Sequence, residues 1–300
     1  MSTIRKRKII GWIAIGISIL ITSFWAFWGM IENFHEGWYF ESWLANVGLM
    51  FAQYLSPMLV FLSLTLMAIV WPRVGAGLHW LFALFAVGFF HALTNPVMFL
   101  LIIPLLGLGL LYWFGRPQPR LLAAALAITL PLLTLILSGI EPVLRVSQRI
   151  DDGHLQAQLV SGNEVQLIWA PDGPGWPRSG VDWYKALSTC RYLAEDGHEL
   201  ASAPQNTWRL PAVDEAVRSM ARHGRNSGGL WHEETAEAAY QTKPDKEPPL
   251  WNRYSQVIYW WTATEAGEDQ AYMIAYDGKV WPRSKKLNQD YLGFRCVKRP

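Results

Sequence analysis

Five long apolar stretches fill the first half of this chain, and they decide what it can fold into. They cover residues 9–30, 47–70, 74–93, 97–114 and 121–140. Each approaches or exceeds the ~18–20 residues that a helix needs to cross the hydrocarbon core of a bilayer. Charged and proline-containing groups separate them: residues 32–41, Trp71-Pro72-Arg73, Thr94-Asn95-Pro96, and Gly115-Arg116-Pro117-Gln118-Pro119-Arg120. Arginine and proline are poor inside a lipid-exposed helix and good in turns and at interfaces. The third and fourth stretches are joined so tightly that they form either a hairpin of two spans or one re-entrant pair. The expectation is a transmembrane domain over residues 1–142, made of five helices.

Basic residues set the orientation. Arg5-Lys6-Arg7-Lys8 lies before the first stretch, Arg73 after the second, and Arg116 and Arg120 after the fourth. The opposite loops carry Glu32, Glu36 and Glu41, or no charge. Lys and Arg favour the cytoplasmic side, so the N-terminus is expected there. An odd number of spans then places everything after residue 142 outside the cytoplasm, periplasmic or extracellular, anchored in the inner (plasma) membrane. A cleaved signal peptide is the rival reading of the first stretch. It is disfavoured because residues 23–30 offer Trp and Phe where a cleavage site wants small residues.

Few residues within the apolar stretches suggest transport. His79 and His91 lie near the ends of the third stretch, on different helical faces, and Gln53 lies in the second. Interface or packing roles fit them best. Pro57, Pro104 and Pro131 predict kinks that neighbouring helices can accommodate.

The second half has a different character. Residues 1–150 hold nine of the 26 Lys+Arg and four of the 24 Asp+Glu, giving +5, while the remainder carries −3. No long basic run argues for nucleic acid. Residues 143–163 read as a connector, the start of it amphipathic, and residues 164–300 as a separate α+β domain. Residues 165–169 read as a strand. Asp182 is suited to cap a helix whose apolar face is Trp183, Ala186, Leu187, Cys190 and Leu193, with Gly197 as its stop. A second helix is expected from Pro211, with Asp214 and Glu215 in its first turn and Gly224 after its end. Residues 225–254 form a long proline- and glycine-containing segment. Strands follow at 256–264, 270–276 and 292–297, with Asp277-Gly278 as a hairpin turn.

Only two cysteines occur, Cys190 and Cys296. Neither has a nearby Cys or His, so no zinc site is expected. In an exported domain they form one disulfide; in a reducing compartment they are two buried thiols.

Several runs in this half resemble a known family. Leu167-Ile168-Trp169-Ala170, Gly175-Trp176-Pro177 and Val181-Asp182-Trp183, with Ala186 and Cys190, are similar to the opening of Lcl-type C-terminal domains. Trp208-Arg209-Leu210-Pro211 followed by Glu215 resembles their WRLP-x-x-x-E element. Tyr259-Trp260-Trp261-Thr262-Ala263-Thr264-Glu265 and Gly293-Phe294-Arg295-Cys296-Val297 resemble their YWSST-E strand and closing GFRCV. The resemblance covers residues ~165–298 and leaves the membrane half out. It implies a C-type-lectin-like fold, in the superfamily that includes the formylglycine-generating (sulfatase-modifying) enzymes. It also implies a disulfide from the first helix to the last strand, here Cys190 to Cys296.

Departures from the family argue against catalysis. The formylglycine-generating enzymes hold copper on a cysteine pair upstream of the closing strand, and residues 271–290 contain no cysteine. Calcium-binding lectins use an EPN or QPD loop with a WND strand. Glu247-Pro248-Pro249 and Trp251-Asn252-Arg253 are loose echoes, so calcium is left unsupported and no other cofactor is expected. His232-Glu233-Glu234 lacks the second histidine of a metalloprotease helix, and no G-x-S-x-G element occurs.

The remaining candidates are surfaces. Trp231, Trp251 and Trp281, with Arg253, are the proposed binding residues, because tryptophan faces stack on sugar rings and anchor protein interfaces. Arg253, Arg283, Lys285 and Lys286 would add a basic patch for an anionic ligand. Trp260 and Trp261, as strand neighbours, must face opposite sides. The functional expectation is a membrane-anchored, non-catalytic binding or assembly protein. Its domain would meet a glycan, envelope polymer or protein partner. An accessory subunit of a membrane complex is the second reading, and an enzyme with an unrecognised activity the third.

Overall fold

The computed structural model describes residues 3–91, 99–150 and 154–300. They form two compact units: Met1–His35 with Val47–Val143, and Glu36–Asn46 with Leu144–Pro300.

The first unit is helical. Helix α1 spans Thr3–Glu36, and α2, Trp43–Leu49, continues through a π-helical turn at Met50–Tyr54 into α3, Ser56–Val70. The chain bends by 61° between that pair. Then come α4 (Pro72–Phe89), α5 (Phe99–Phe114) and α6 (Arg120–Ser147). Among the described residues three helices, α1, α4 and α6, are long and apolar enough to cross a membrane, and the bent pair makes a fourth if it is one span. Helix α5, at 16 residues, is shorter. The turn expected at Thr94-Asn95-Pro96 lies outside the described residues.

Local chemistry explains the joints. Pro72 starts α4, where a missing N–H costs nothing. The linking Trp71 donates its N–H to the Met67 carbonyl at 2.7 Å and accepts from Gly75 N–H at 2.8 Å. At the same end of the bundle, where Arg73 lies over the ring of Trp113, the backbone of Arg116 and Pro117 fills the space where a Cβ on Gly11 would stand. Only glycine permits that approach, in which Arg116 N–H donates to the Arg7 carbonyl at 2.9 Å and Trp12 Nε1 to the Gln118 carbonyl at 2.9 Å. Two of the basic segments are thereby held together.

Helix α6 runs farther than the sequence suggests. It passes through Pro142 to Ser147, so the first part of the expected connector is helix. Pro131 and Pro142 both lie inside it. A further difference concerns residues 36–46, expected in the membrane domain, which fold with the C-terminal unit instead.

The second unit is strand-rich. Strand β2 (Val165–Trp169) forms where expected, and β1 (Gln158–Gly162), within the expected connector, pairs with it as a hairpin. Strand β11 (Val297–Lys298) pairs antiparallel with β2, Val297 opposite Trp169. A second sheet has the order β10-β7-β8-β9, made of Leu292–Gly293, Tyr259–Glu265, Gln270–Ala275 and Val280–Ser284. Its β10–β7 pair is parallel and the others are antiparallel. The segment over residues 221–239 is organised as two small hairpins, β3–β4 (Ala221–Arg222, Arg225–Asn226) and β5–β6 (Leu230–His232, Glu237–Ala239). Gly224 sits in the first of these turns at φ +67°, not at a helix end.

Helix α7 (Trp183–Tyr192) begins where expected, with the Asp182 side chain accepting from Lys185 N–H at 2.8 Å. Helix α8 (Val213–Ser219) begins two residues after Pro211. Glu215 on its third position accepts from Ala212 N–H at 2.7 Å, satisfying a donor the helix leaves orphaned.

Central strand β7 divides two cores. Trp261 is buried with Trp183, Trp208, Phe294 and both cysteines. Its neighbour Trp260 is buried with Trp169, Val217, Ile274 and Val297. The period-two alternation of a strand sends the two indoles to opposite faces. Cys190 on α7 is bonded to Cys296, 106 residues away. The expected single closing strand is broken in two at this point. Arg295 turns inward, fully buried, and donates to the carbonyls of Ala170 (2.7 Å), Pro249 and Gln156 (3.3 Å). β10 and β11 therefore belong to different sheets.

Candidate functional site

The four residues proposed for binding are not gathered into one surface. Trp231 packs edge-on against Tyr272, ring centroids 5.4 Å apart. Trp251 lies half-buried under the Arg149 guanidinium, 5.8 Å from its ring centroid. Both pack on the Trp260 core, whereas Trp281 packs on the Trp261 core and touches Tyr259. Arg253 is exposed, its guanidinium over the ring of Tyr254. Arg178 lies over the same ring at 5.6 Å.

The expected basic patch loses a member. Lys285 is buried, its Nζ 2.6 Å from Glu265 Oε2 and also donating to the Glu268 and Gly267 carbonyls. A side chain with those partners anchors a turn and is not offered to a ligand. Arg283 stays exposed, over Trp281.

The residues of the family-like motifs serve the fold. Arg209 makes a two-pronged pair with Glu215, at 2.6 and 2.5 Å. Burial acts to raise the Glu215 carboxyl, but the Arg209 guanidinium and the Ala212 N–H hold it below the usual range. Trp183, Trp208 and Trp261 donate their indole N–H to the carbonyls of Thr262, Ala194 and Val181. Leu210 and Phe294 are core, and the Pro211 carbonyl accepts from Ala263 N–H at 2.7 Å. Gly293 faces Val257 so closely that a Cβ would collide with it.

A buried ionic cluster in this unit escaped sequence reading. Asp245 accepts from Arg149 at 2.9 and 3.0 Å and from Arg222 at 3.0 Å. Glu247 accepts from Arg222 and from the backbone N–H of Gly224 and Ile150. Both carboxylates are at most 5% exposed. Glu247, the first residue of the lectin-like echo, therefore has its oxygens turned to protein donors. Between them, Lys246 is buried with its ammonium 5.3 Å from the Tyr276 ring centroid. Burial pushes its pKa down to about 7; Arg149 and Arg145 act in the same direction, and Asp245 and Glu36 oppose them. The signal available in the sequence was three consecutive charges enclosed by Pro244 and Pro248.

The helical unit holds a second group of polar residues, one from each of four helices. Ser18 Oγ and Tyr112 OH are 2.8 Å apart, Tyr112 also bonds Thr65, and Thr65 donates to the Phe61 carbonyl at 2.7 Å. That last bond fixes the direction of the chain, from Ser18 through Tyr112 to Thr65. His79 is fully buried in the interior of α4, correcting its expected place near a helix end. Its Nδ1 is 2.7 Å from the Gly75 carbonyl, which can only accept, so Nδ1 carries the proton. Its ring centroid is 5.5 Å from that of Tyr112. His91 is exposed, just beyond α4.

Next to this group is a partly open cavity of about 900 Å3, bounded by α1, the π-helical turn, α3, α4 and α5. Its wall is aromatic, including Phe24, Trp28, Phe61, Phe82 and Phe85, and its polar side chains are Gln53 and Ser56. Comparison with family models, curated proteins and solved structures finds no match to this chain.

Proposed function

We propose that the chain is a membrane-anchored, non-catalytic binding or assembly protein that presents a lectin-like C-terminal domain outside the cytoplasm. The observation that carries this reading is the membership of residues 36–46 in the C-terminal unit. Those residues link the first two apolar segments, and they bond to the domain through Glu41 to Arg178 at 3.6 Å and through Tyr39 to Gln256. The link and the domain then share one side of the membrane. The basic segments around Arg7 and Arg116 are held at the other end of α1, and by the positive-inside tendency that end is cytoplasmic. A disulfide suits an oxidising compartment.

Support for binding over catalysis comes from the way polar groups are used. Asp245 and Glu215 face arginines that help hold their carboxyls below the usual range, and Glu247 is paired with Arg222, so these three carboxylates are engaged in the fold. The surface favoured for contact is the exposed Arg253 with the ring of Tyr254, beside an Arg178 that is itself paired with Asp172 and Glu41. Its chemistry suits an anionic glycan or an acidic protein segment.

The test uses the full-length protein in lipid nanodiscs against envelope fractions and a panel of anionic and neutral glycans. Saturable binding that Arg253→Glu abolishes is the expected outcome. Absence of saturable binding by a folded, disulfide-bonded sample sets the reading aside. The accessory-subunit reading is favoured by the cavity and polar group in the helical unit, which exceed what an anchor needs. Co-purification of a stoichiometric partner from mild detergent would select it.

A further inference from the structure

The cavity in the helical unit has a shape and chemistry that select its occupant. Its lining residues follow one another along four helical segments: Leu20 to Trp28 on α1, Gln53 to Phe61 through the π-helical turn and α3, Phe82 to Phe90 on and after α4, and Leu101 to Pro104 on α5. Beneath it lie Ser18, Thr65 and His79, each about one helical turn from a lining residue, namely Ile21, Phe61 and Phe82. The volume is therefore a partly open slot along the bundle whose own wall is apolar over most of its length, these polar residues lying beyond its lining. Its polar side chains, Gln53 and Ser56, are at the opposite end, beside the π-helical turn. Single π-turns inside helices recur at functional sites, because they shift backbone and side chains out of the regular ladder.

Water does not suit this slot. A volume of about 900 Å3 would take tens of molecules at the ~30 Å3 each occupies in the liquid, against a wall that offers two polar side chains. Leaving the wall bare forfeits dispersion contacts over eight aromatic rings. In a bilayer the hydrocarbon at hand is a lipid chain, which enters without a hydrophobic penalty.

We propose that this slot is a binding site for the hydrocarbon chain of a membrane lipid, seated with its polar end at Gln53 and Ser56. The asymmetry of the wall, apolar along its length and polar at one end, matches an amphiphile and does not match an apolar partner helix. The inference is independent of what the C-terminal domain recognises.

The experiment reconstitutes the full-length protein in vesicles containing phosphatidylglycerol that carries a photoreactive diazirine on its acyl chain. After illumination, labelled peptides are mapped by mass spectrometry. Label is expected to concentrate on the segments containing Phe24, Phe61 and Phe85, above the level on the outward residues Leu121 and Ile136 of α6. Filling the slot with Val60→Trp should reduce cavity labelling to the α6 level, while Ile136→Trp leaves it unchanged. Disulfide formation and elution volume report that each variant is folded. Label spread evenly over cavity and α6 residues, in the wild-type protein, would mean that lipid only surrounds the bundle and would overturn the proposal. A stoichiometric partner helix cross-linked to the same residues would also overturn it.

Discussion

The two units bury polarity by opposite means. In the helical unit Ser18, Thr65 and Tyr112 supply hydroxyls and His79 an imidazole, bonded to one another or to the local backbone. In the C-terminal unit charged side chains are buried, Asp245 and Glu247 with Arg149 and Arg222, and Arg295 on three carbonyls and the face of Trp176. The difference follows from the unfolded alternative. A membrane helix leaving its neighbours still sits in hydrocarbon, so a neutral bond gains little by forming. A buried ion in a water-soluble unit has strong solvation to return to, so losing one partner strands the other at high cost.

The largest effect that could break this comparison is at the disulfide. Replacing Cys190 and Cys296 together by alanine should lower the stability of the C-terminal unit by roughly 3–5 kcal/mol, the loop-entropy value for a bridge spanning 106 residues. Urea unfolding followed by tryptophan fluorescence checks it, and the helical unit should show no change in detergent-denaturation midpoint.

A paired substitution sharpens the contrast. Asp245→Asn leaves the guanidinium groups of Arg149 and Arg222 buried without their carboxylate and should cost about 3 kcal/mol or more. Tyr112→Phe removes an equally buried hydroxyl from the membrane unit and should cost about 1 kcal/mol. Equal losses in the two units would defeat the comparison.

Lys246 makes the contrast dependent on pH. Its folded pKa, lowered to about 7 from the ordinary 10.5, means that the unfolded chain binds the extra proton between those values. Stability therefore rises with pH across that window, by at most ~1.4 kcal/mol per pH unit, and below it the cost of burying the charged form is fully present. The depressed carboxyls of Asp245 and Glu215 act at the other extreme, their stabilisation being lost as pH falls below about 4. Unfolding midpoints between pH 7 and 10 should climb for the wild type and flatten for Lys246→Met.

Much of the fold is legible in the sequence where one residue type repeats at a fixed period. The apolar stretches announce helices, Asp182 announces the start of α7, and Trp260-Trp261 on a strand announces two buried faces. What escapes is set by contacts distant in sequence. The π-helical turn at Met50–Tyr54 leaves no compositional trace, since it differs from α-helix only in bonding. The split of the closing strand depends on Arg295 finding carbonyls at Gln156, Ala170 and Pro249. Ser18, Thr65 and Tyr112 are unremarkable on their separate helices and acquire meaning only together. Lys285 looked like surface charge because its partners, Glu265 and the Glu268 carbonyl, sit across a hairpin.

The central claim is that the C-terminal domain and the basic N-terminus lie on opposite sides of one membrane. Among the described residues there is no free cysteine, so a single added thiol reports its own side. A membrane-impermeant maleimide applied to intact cells should label Glu233→Cys, an exposed position in the domain, and leave Lys6→Cys unlabelled until the membrane is opened. Labelling of Lys6→Cys with Glu233→Cys protected, or of both alike in sealed cells, would contradict the account.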